Sequence, residues 1–504
     1  MQYLLFSVTL STFSIFIARS YPNNSVEEVF KWKRVEFESL PKSENSWVGP
    51  FKYFIPENND IMGMAYHPIS GLMIVTIARL RPGVPITVAA FCVSDFKTGS
   101  SPKFWPFPNY KTNEIRPSDF YGFHYYDDYE GRKHGKNPNK NQNHLGFYDW
   151  NQNYYHHSHH KIPAYQKPLY QTPLFTTPAA PNHKPSSEKV RIISVYSVNV
   201  DEKCNRAYFV DTGLLPTSTN YSIPVQKPAL YFYNISPDCC ENRKFDLIRR
   251  AEIPDRLVSK IPFGLLYVTL DFQSEDCEDI FLYCTNFFGS YLVVYDYRKN
   301  EFWSFTDHPT LEPVVSESYM IYEKSFNYQL LGGIINIVLG YKDEYGDKVA
   351  YYVDAAGTGQ YAVSAKVLKD KTKSGTQYNI NDFQIMGYRG CDSQTARMVV
   401  DYTFSVVFYA ELQSNRITCW NMKKPLNPDN IGIVFESENL KYPLQIFIDS
   451  RGYLWFNSGR IPIIYFSTQP LNLNIINDRF YRVRVRDAIH GTVCEDDNYY
   501  KYDI

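Results

Sequence analysis

The strongest pattern in the chain is a short polar turn followed by an apolar run, and it occurs six times. The clearest copy is IFIDSRGYLWFNSGR at residues 446–460, where a turn at 449–452 separates two apolar segments. Gly452 suits this turn because glycine adopts backbone conformations that other residues avoid. The other copies lie at residues 67–76, 200–213, 271–286, 341–354 and 400–411. Each copy predicts two strands joined by a tight turn.

The spacing of the copies favours an all-β fold, a six-bladed β-propeller. Apart from the first two, consecutive copies are about 45–75 residues apart, which fits one four-stranded blade with long loops. Six twisted sheets packed around one axis cover the edges and faces that each sheet would otherwise expose. A β-sandwich with a second β domain is the alternative that the repeat alone leaves open.

Further strands are predicted from apolar alternation and short apolar runs between the copies. The first, at residues 29–37, is expected to pair with the last strand of the chain and so close the ring. The others lie at residues 51–55, 74–77, 88–91, 190–200, 230–235, 263–272, 291–295, 334–339, 361–368, 416–420, 431–435 and 481–485.

Residues 118–187 interrupt this pattern. Apolar alternation stops, Tyr, His, Asn, Lys and Pro dominate, and the segment holds eight of the chain's 11 His residues. Such a composition buries too little aliphatic surface to offset the entropy of ordering. We therefore predict a long disordered insertion whose two ends lie close together on the propeller surface.

The ends of the chain suggest export. Residues 1–20 resemble a secretion signal, with an apolar run followed by small residues, and a membrane anchor is the alternative. The propeller then spans residues 21–494, and residues 495–504 form an acidic tail. No other segment is long and apolar enough to suggest a membrane span. The net charge of −1 argues against a nucleic-acid partner. The sequence does not indicate an oligomeric state.

Nine cysteines in an exported chain suggest disulfides, and the odd number leaves at least one cysteine unpaired or bonded to another molecule. Three Asn-x-Ser/Thr triplets are candidate glycosylation sites, at Asn23, Asn220 and Asn234.

Motifs for hydrolytic, zinc-dependent or phosphate-binding catalysis are absent from the sequence. Outside the insertion, His67, His308 and His490 are too scattered to suggest a metal centre or a general base. The cluster HHSHH at residues 156–160 can bind a transition metal, but a solvated loop is the simpler interpretation. We therefore predict no metal and no cofactor, and the sequence leans against an enzyme.

Several short stretches resemble the insect yellow and major royal jelly protein family. Their order and spacing match the family from about Trp32 to Cys494, apart from the insertion. The stretches are RPGVP at 81–85, CNRAYFVDTG at 204–213, IRRAEIP at 248–254, DCED at 276–279, VVYD at 293–296, CWN at 419–421, DSRGYLW at 449–455 and GTVC at 491–494.

The resemblance implies a secreted six-bladed propeller. It also implies a bridge between Cys419 and Cys494, which match a family pair. Cys204 and Cys277 lie in equivalent turns of neighbouring blades and are a second candidate pair. Pairings of the remaining cysteines stay open: Cys92, Cys239, Cys240, Cys284 and Cys391.

Ligands of propellers tend to bind where the inner strands converge at one mouth of the central channel. Candidate residues for this mouth are the polar strand ends and one aromatic neighbour: Asp211, Thr212, Asn286, Phe287, Asp354, Ser458 and Arg460. An amine ligand needs a carboxylate and an aromatic face. Asp211 or Asp354 can supply the first, and Phe287 or Tyr208 the second. Many relatives have Asp where Asn286 stands. The alternative is that these polar residues only cap strands and turns.

Three functions follow from the resemblance. The first is a non-enzymatic protein of cuticle, eggshell or pigmented matrix, partnered with extracellular matrix proteins and cross-linked through its Tyr/His-rich insertion. The second is a binder of small aromatic biogenic amines at the channel. The third is a dopachrome-converting enzyme. We rank them in this order, because the insertion favours the first and the scarcity of His outside it weighs against the third.

Overall fold

A computed structural model of the protein describes residues 26–43, 45–120, 190–216, 222–258, 264–323 and 326–496. The predicted signal at 1–20, Asn23, Asn220, residues 121–187 of the insertion and residues 497–504 of the tail lie outside these ranges.

Six four-stranded antiparallel sheets form the blades of a six-bladed β-propeller. Blade 1 holds β4 (Ile61–His67), β5 (Leu72–Ile77), β6 (Val88–Cys92) and β7 (Trp105–Pro106). Blade 2 holds β8 (Val195–Asp201), β9 (Arg206–Asp211), β12 (Ala229–Asn234) and β13 (Leu247–Glu252). Blade 3 holds β14 (Leu265–Phe272), β15 (Ile280–Asn286), β16 (Tyr291–Asp296) and β17 (Glu301–Phe305).

The other blades follow the same order of strands. Blade 4 holds β20 (Ile334–Lys342), β21 (Lys348–Asp354), β22 (Gly359–Ser364) and β23 (Phe383–Tyr388). Blade 5 holds β24 (Thr395–Asp401), β25 (Val406–Glu411), β26 (Arg416–Asn421) and β27 (Ile431–Glu436). Blade 6 holds β28 (Ile446–Ile448), β29 (Tyr453–Ser458), β30 (Asp478–Arg484) and β1 (Glu27–Trp32).

Three two-stranded hairpins and five short helices decorate the described parts of the ring. The hairpins are β2 (Trp47–Val48) with β3 (Phe51–Lys52), β10 (Leu214–Pro216) with β11 (Ser222–Pro224), and β18 (Met320–Glu323) with β19 (Phe326–Gln329). The helices are α1 (Tyr110–Asn113), α2 (Cys239–Asn242), α3 (Ala365–Lys369), α4 (Ile461–Phe466) and α5 (Val485–Ile489).

Each of the six sequence copies corresponds to the turn between the first and second strands of one blade. The copy at 446–460, for example, joins β28 and β29, and Gly452 in its turn has a φ of 74°. The predicted propeller is therefore confirmed, and its repeat is the strand–turn–strand unit that the polar and apolar pattern indicates.

The predicted ring closure is also confirmed. Strand β1 pairs antiparallel with β30, so the first strand of the chain completes the last blade. Trp32 at the end of β1 is fully buried, and its ring lies 4.8 Å from that of Phe480. Ion pairs of Glu28 with Arg479 and of Glu27 with Arg482 add to this junction. Aromatic burial and backbone pairing together hold the ring shut.

The two ends of the insertion meet, as predicted. Arg191, just after the insertion, donates two hydrogen bonds of 2.8 and 2.9 Å to the carboxylate of Asp119, the second residue of the predicted insertion. The side chains of both residues are largely buried. A bidentate, buried ion pair thus fixes the point from which the insertion leaves the ring.

An apolar cluster fills the centre of the ring. Each of the six first strands, or the residue leading into it, contributes to this cluster, with Met62, Tyr196, Tyr267, Ile335, Met398 and Leu444 as examples. Buried Arg397 of β24 crosses the centre and donates hydrogen bonds to Ser197, Asn199 and Gln445. The first strands of blades 2, 5 and 6 are therefore joined through one guanidinium group.

Three disulfides connect neighbouring blades. Cys204–Cys277 joins the first turns of blades 2 and 3, and Cys419–Cys494 joins blade 5 to the segment after blade 6. These are the two pairs expected from the sequence. The third, Cys92–Cys240, ties β6 of blade 1 to α2 of blade 2. Cys239, beside Cys240, is a buried free thiol.

Some sequence boundaries differ from the structure. The strand predicted at 361–368 ends at Ser364, and Ala365 begins helix α3. The reason is local, because the Ser364 hydroxyl accepts a hydrogen bond from the Lys366 amide and caps the helix. In the described part of the chain, no helix has the length and apolar character needed to cross a membrane.

Candidate ligand cavity at one face of the propeller

A cavity of about 970 Å³ opens on the propeller face where the second strands end and the first strands begin. It lies between blades 4, 5 and 6, and the loops between blades supply most of its wall. The lining residues are Glu317, Ser318, Tyr319, Thr358, Tyr388, Gly390, Cys391, Asp392, Gln394, Leu412, Gln413, Asn415, Lys441, Tyr442, Gly459, Arg460 and Pro462.

Three tyrosines give the cavity an aromatic character. Tyr319 is buried, and its hydroxyl lies 3.4 Å from that of Tyr442. Burial raises the pKa of Tyr319 well above its usual value, and the neighbouring Tyr442 adds to the effect. Tyr388 is 51% exposed at the rim. The cavity thus offers flat apolar surfaces together with neutral phenol groups that can donate hydrogen bonds.

Two acidic and two basic side chains line the cavity, so their formal charges cancel. Glu317 accepts hydrogen bonds of 2.6 and 2.7 Å from the amide and hydroxyl of Thr358 through one carboxylate oxygen. Asp392 accepts one of 2.8 Å from Gln413. Lys441 and Arg460 add positive charge on the blade 6 side. The lining therefore suits a ligand with both a cationic group and hydrogen-bonding oxygens.

The rim contains backbone that is unusual for residues with side chains. Asp392, Asn415 and Tyr442 have positive φ angles of 61°, 52° and 47°. The Asn415 side chain accepts a hydrogen bond from the Tyr442 amide and so helps to hold that conformation. A left-handed conformation is especially uncommon for a bulky residue such as tyrosine, and such strain concentrates at functional sites.

Behind the cavity, Arg460 lies beside a pair of buried acids. Its amide donates to both oxygens of Asp60, at 3.1 and 3.0 Å. Asp478 is buried next to Asp60 and accepts a hydrogen bond from the Ile61 amide. Burial raises the pKa of both carboxyl groups, so the cavity rests on a seam between blades 6 and 1 that is sensitive to protonation.

Among the predicted mouth residues, Asp211 is fully buried. Its carboxylate accepts hydrogen bonds from the amides of Ile193, Ser194 and Gly213 and from the side chain of Gln226. Burial raises its pKa. These contacts cap the start of blade 2, and they occupy the oxygens that an ammonium group would need.

Asn286 and Asp354 occupy the same position in blades 3 and 4. The Asn286 amide contacts the Gly289 backbone and the Tyr291 hydroxyl. Asp354 accepts from the Gly357 amide and the Tyr361 hydroxyl, and burial raises its pKa to about 6. Like Asp211, both end the second strand of a blade, whereas the innermost position belongs to the first strand.

The remaining predicted residues divide between the cavity and its surroundings. Arg460 lines the cavity, and Ser458 lies just behind it, accepting a hydrogen bond from the Lys441 amide. Phe287 packs against Phe288 in the central cluster and is not one of the lining residues. Thr212 donates to the Ser194 carbonyl in blade 2, and Tyr208 is buried against Phe232. The ligand role of the predicted set stays a prediction.

Sequence reasoning missed most of the cavity, including Glu317, Tyr319, Gln394 and Tyr442. These residues lie in connections between blades, and their sequence neighbours carry no repeated pattern. None of the described His residues lines the cavity, and His67 and His308 are held by hydrogen bonds elsewhere. No group of three or more metal-binding side chains occurs within the described ranges, which do not include the cluster at 156–160.

Comparisons with known proteins agree with this architecture. Residues 193–494 match the family model described as "Major royal jelly protein". The yellow-related salivary protein SP03 of Phlebotomus perniciosus is 32% identical over 313 residues, covering 62% of this chain and 76% of that protein. The L-dopachrome tautomerase yellow-f of Drosophila melanogaster is 30% identical over 317 residues, covering 63% and 70%. The yellow-related salivary protein LJM11 of Lutzomyia longipalpis is 30% identical over 318 residues, covering 62% and 75%.

The family match extends from just before blade 2 to Cys494, and so includes every loop that lines the cavity. These matches, on a chain that folds as a six-bladed propeller, show that it belongs to the yellow and major royal jelly protein family.

Proposed function

We propose that this protein is a secreted binder of small aromatic amines, and that the cavity between blades 4, 5 and 6 is the binding site. The observation that carries the proposal is the combination of three tyrosines and two carboxylates around one opening. Its volume of about 970 Å³ lies in the range of small-molecule sites. Three disulfides are consistent with an oxidising compartment, and similar proteins are named as salivary.

Glu317 is the best-placed partner for the ligand's ammonium group. One of its oxygens is held by Thr358, which fixes the orientation of the carboxylate. An aromatic ring stacked on Tyr388 or Tyr442 would then have its amine within reach of an acidic side chain. This replaces the expectation that Asp211 or Asp354 supplies the carboxylate, since both are engaged with backbone and side-chain donors.

Lys441 and Arg460 restrict the choice of amine. An aromatic ring without oxygen substituents offers these two cations no hydrogen-bond acceptor. Catechol and hydroxyindole rings carry oxygens that accept hydrogen bonds from such groups. We therefore expect dopamine and serotonin to bind more tightly than phenethylamine.

Titration calorimetry tests the proposal. Dopamine and serotonin should release heat with one saturable site on the native protein. Glu317→Gln keeps an acceptor for Thr358 but removes the charge, and should weaken dopamine about tenfold. Glu275→Gln is the matched control, because this carboxylate is 98% exposed in the first turn of blade 3, on the face opposite the cavity. Absence of heat with either amine at high protein concentration would end the proposal.

A role in extracellular matrix, which the sequence alone ranks first, is the second candidate, because the cavity adds support for amine binding. It is favoured by the composition of residues 118–187, which are rich in Tyr and His. These side chains react with oxidised catechols, so the segment suits cross-linking. Deletion of residues 121–187 tests this role and spares Asp119, the buried partner of Arg191. The shortened protein should then fail to enter insoluble matrix. Undiminished incorporation would remove the idea, and the amine-binding proposal would be unaffected.

Dopachrome conversion is the third candidate, and the similarity to yellow-f supports it. A tautomerase must move a proton, and the cavity offers Glu317, Asp392 and tyrosine hydroxyls for that purpose. Loss of dopachrome absorbance in the presence of the purified protein would support this activity. A lower rate of loss with Glu317→Gln would assign the activity to the cavity. No acceleration over buffer would exclude it.

A further inference from the structure

Cys391 differs from the other eight cysteines. Six of them form disulfides, and Cys239 and Cys284 are buried thiols. Burial raises the pKa of both, that of Cys284 to about 12, so neither is a ready nucleophile near neutral pH. Cys391 is exposed and lines the cavity. All nine cysteines lie within the described residues, and Cys391 is therefore the accessible thiol of the chain.

Two buried polar atoms of cavity-lining residues have no hydrogen-bond partner among the described residues. Gln394 is only 3% exposed, and its amide nitrogen donates to the Glu317 carbonyl, but its carbonyl oxygen has no donor among the described residues. The buried Nε of Arg460 likewise has no acceptor in the described part of the chain. Buried polar groups are normally paired. The Gln394 oxygen can accept a hydrogen bond, and Arg460 Nε can donate one. The two atoms therefore match a ligand that carries both a hydroxyl group and an acceptor oxygen.

We propose that Cys391 captures o-quinones, the two-electron oxidation products of catechols, by covalent addition inside the cavity. The inference rests on the proposed function, because an o-quinone keeps the size and flat shape of the catechol amine that the cavity is proposed to bind. Covalent addition would then follow reversible binding in the same cavity. An oxidised ligand would be retained permanently, whereas the reduced amine would dissociate.

The addition balances without a further reactant. The sulfur of Cys391 uses an electron pair to form a C–S bond with a ring carbon conjugated to a carbonyl, and the ring electrons move onto that carbonyl oxygen. This oxygen takes the thiol proton. The proton of the attacked ring carbon moves to the second oxygen, which restores an aromatic catechol. The quinone is thereby reduced, the sulfur becomes a thioether, and nothing leaves.

The neighbouring groups suit this reaction. Arg460 Nε can donate to the oxygen that gains negative charge. Gln394 can accept from a hydroxyl of the catechol product. Tyr388 and Tyr442 offer faces on which the ring can stack close to the thiol. The cavity should therefore raise the rate of addition above that of an ordinary exposed thiol by holding the quinone near sulfur.

Mass spectrometry with 4-methyl-1,2-benzoquinone, freed of oxidant, tests the inference. The native protein should gain one intact quinone, and peptide mapping should locate it on Cys391. Cys391→Ser removes that site. The control combines Cys391→Ser with Tyr345→Cys, since Tyr345 is 79% exposed at the first turn of blade 4, on the opposite face. We expect the native thiol to react about tenfold faster than the control thiol, with a rate that saturates and is slowed by serotonin, which is not a catechol and cannot form an o-quinone by simple electron exchange with the probe.

Equal rates at the two thiols, a rate linear in quinone, or modification at other residues would overturn the inference. A native protein whose Cys391 is already blocked by a disulfide would overturn it too. Calorimetry of dopamine on the native protein separates the two claims. Dopamine binding without faster addition refutes only the quinone capture, whereas a lack of dopamine binding refutes the proposed function itself.

Discussion

Asp60 and Asp478 are buried together at the seam where blade 6 meets blade 1. Asp478 begins β30 and pairs with Trp32 of the closing strand, and Asp60 immediately precedes β4 of blade 1. A side-chain hydrogen bond links the two carboxyl groups, which requires one of them to carry a proton. Two adjacent buried carboxyl groups cannot both ionise without a large electrostatic cost, although nearby Arg460 offsets part of it.

The first prediction is that stability falls as the pH rises through this pair's titration. Burial raises the pKa of Asp60 to about 7 from the ordinary 3.8. Between these values the folded chain keeps a proton that the unfolded chain releases, so rising pH favours unfolding. The urea midpoint should therefore be lower at about pH 8 than at about pH 5. Asp478→Asn should reduce the difference, because the neutral amide can donate to Asp60.

Asp95→Asn is the control for this experiment, since Asp95 is exposed in the loop after β6. It should leave the pH dependence of the midpoint as in the native protein. A native midpoint that rises between the two pH values, or an Asp478→Asn variant with the native dependence, would contradict the role of the pair.

The second prediction concerns the buried side chain of Arg79. This fully buried guanidinium donates to the carbonyls of Val84, Pro85, Asn113 and Ile193, and so ties blade 1 to the start of blade 2. Arg79→Lys retains the charge but cannot reach all these acceptors. Each buried carbonyl left unpaired costs about 1–3 kcal/mol, so a drop of several kcal/mol in the unfolding free energy is expected.

The matched control for Arg79 is Arg34→Lys, at a side chain that is 54% exposed. Its unfolding free energy should stay within about 0.5 kcal/mol of the native value. Equal midpoints for the two variants in urea would show that the Arg79 hydrogen bonds contribute little.

The third prediction concerns ring closure. Trp32 is completely buried, packs on Phe480 and Phe104, and donates a hydrogen bond to the Pro102 carbonyl. Trp32→Ala should cost about 3–5 kcal/mol and should expose β1 to proteases before the rest of the ring unfolds. Trp47→Ala, at a tryptophan that is 62% exposed, is the control and should change neither property. Native resistance to proteolysis in Trp32→Ala would argue against the closure role.

The sequence predicts the ring well because its determinants are local. The polar turn and the apolar run in each copy lie within about 15 residues, and they specify a strand pair wherever the copy occurs. The closing strand is predictable for the same reason, since β1 alternates and the chain needs a partner for its last edge. Helix α3 was missed because the alternation at residues 361–368 continues past Ser364, and the capping hydrogen bond that ends the strand leaves little signal.

The cavity could not be predicted in the same way. Glu317 and Gln394 are 77 residues apart and meet only after blades 4 and 5 have stacked. Polar strand ends such as Asp211 look like ligand groups in a sequence, but they also cap the next blade. Whether a carboxylate caps a blade or binds a ligand depends on which backbone amides donate to it. Those amides belong to loops, and the sequence does not specify the paths of the loops.

The last prediction separates these two roles for Asp211. The carboxylate accepts four hydrogen bonds, so Asp211→Asn places an NH₂ group against N–H donors and leaves groups unpaired at about 1–3 kcal/mol each. The variant should unfold at a lower urea concentration and still bind dopamine with native affinity, because Asp211 does not line the cavity. Glu317→Gln should behave in the opposite way, losing affinity with a smaller change in midpoint. An Asp211→Asn variant with native stability and weakened dopamine binding would instead place the ligand at Asp211, as the sequence pattern first indicated.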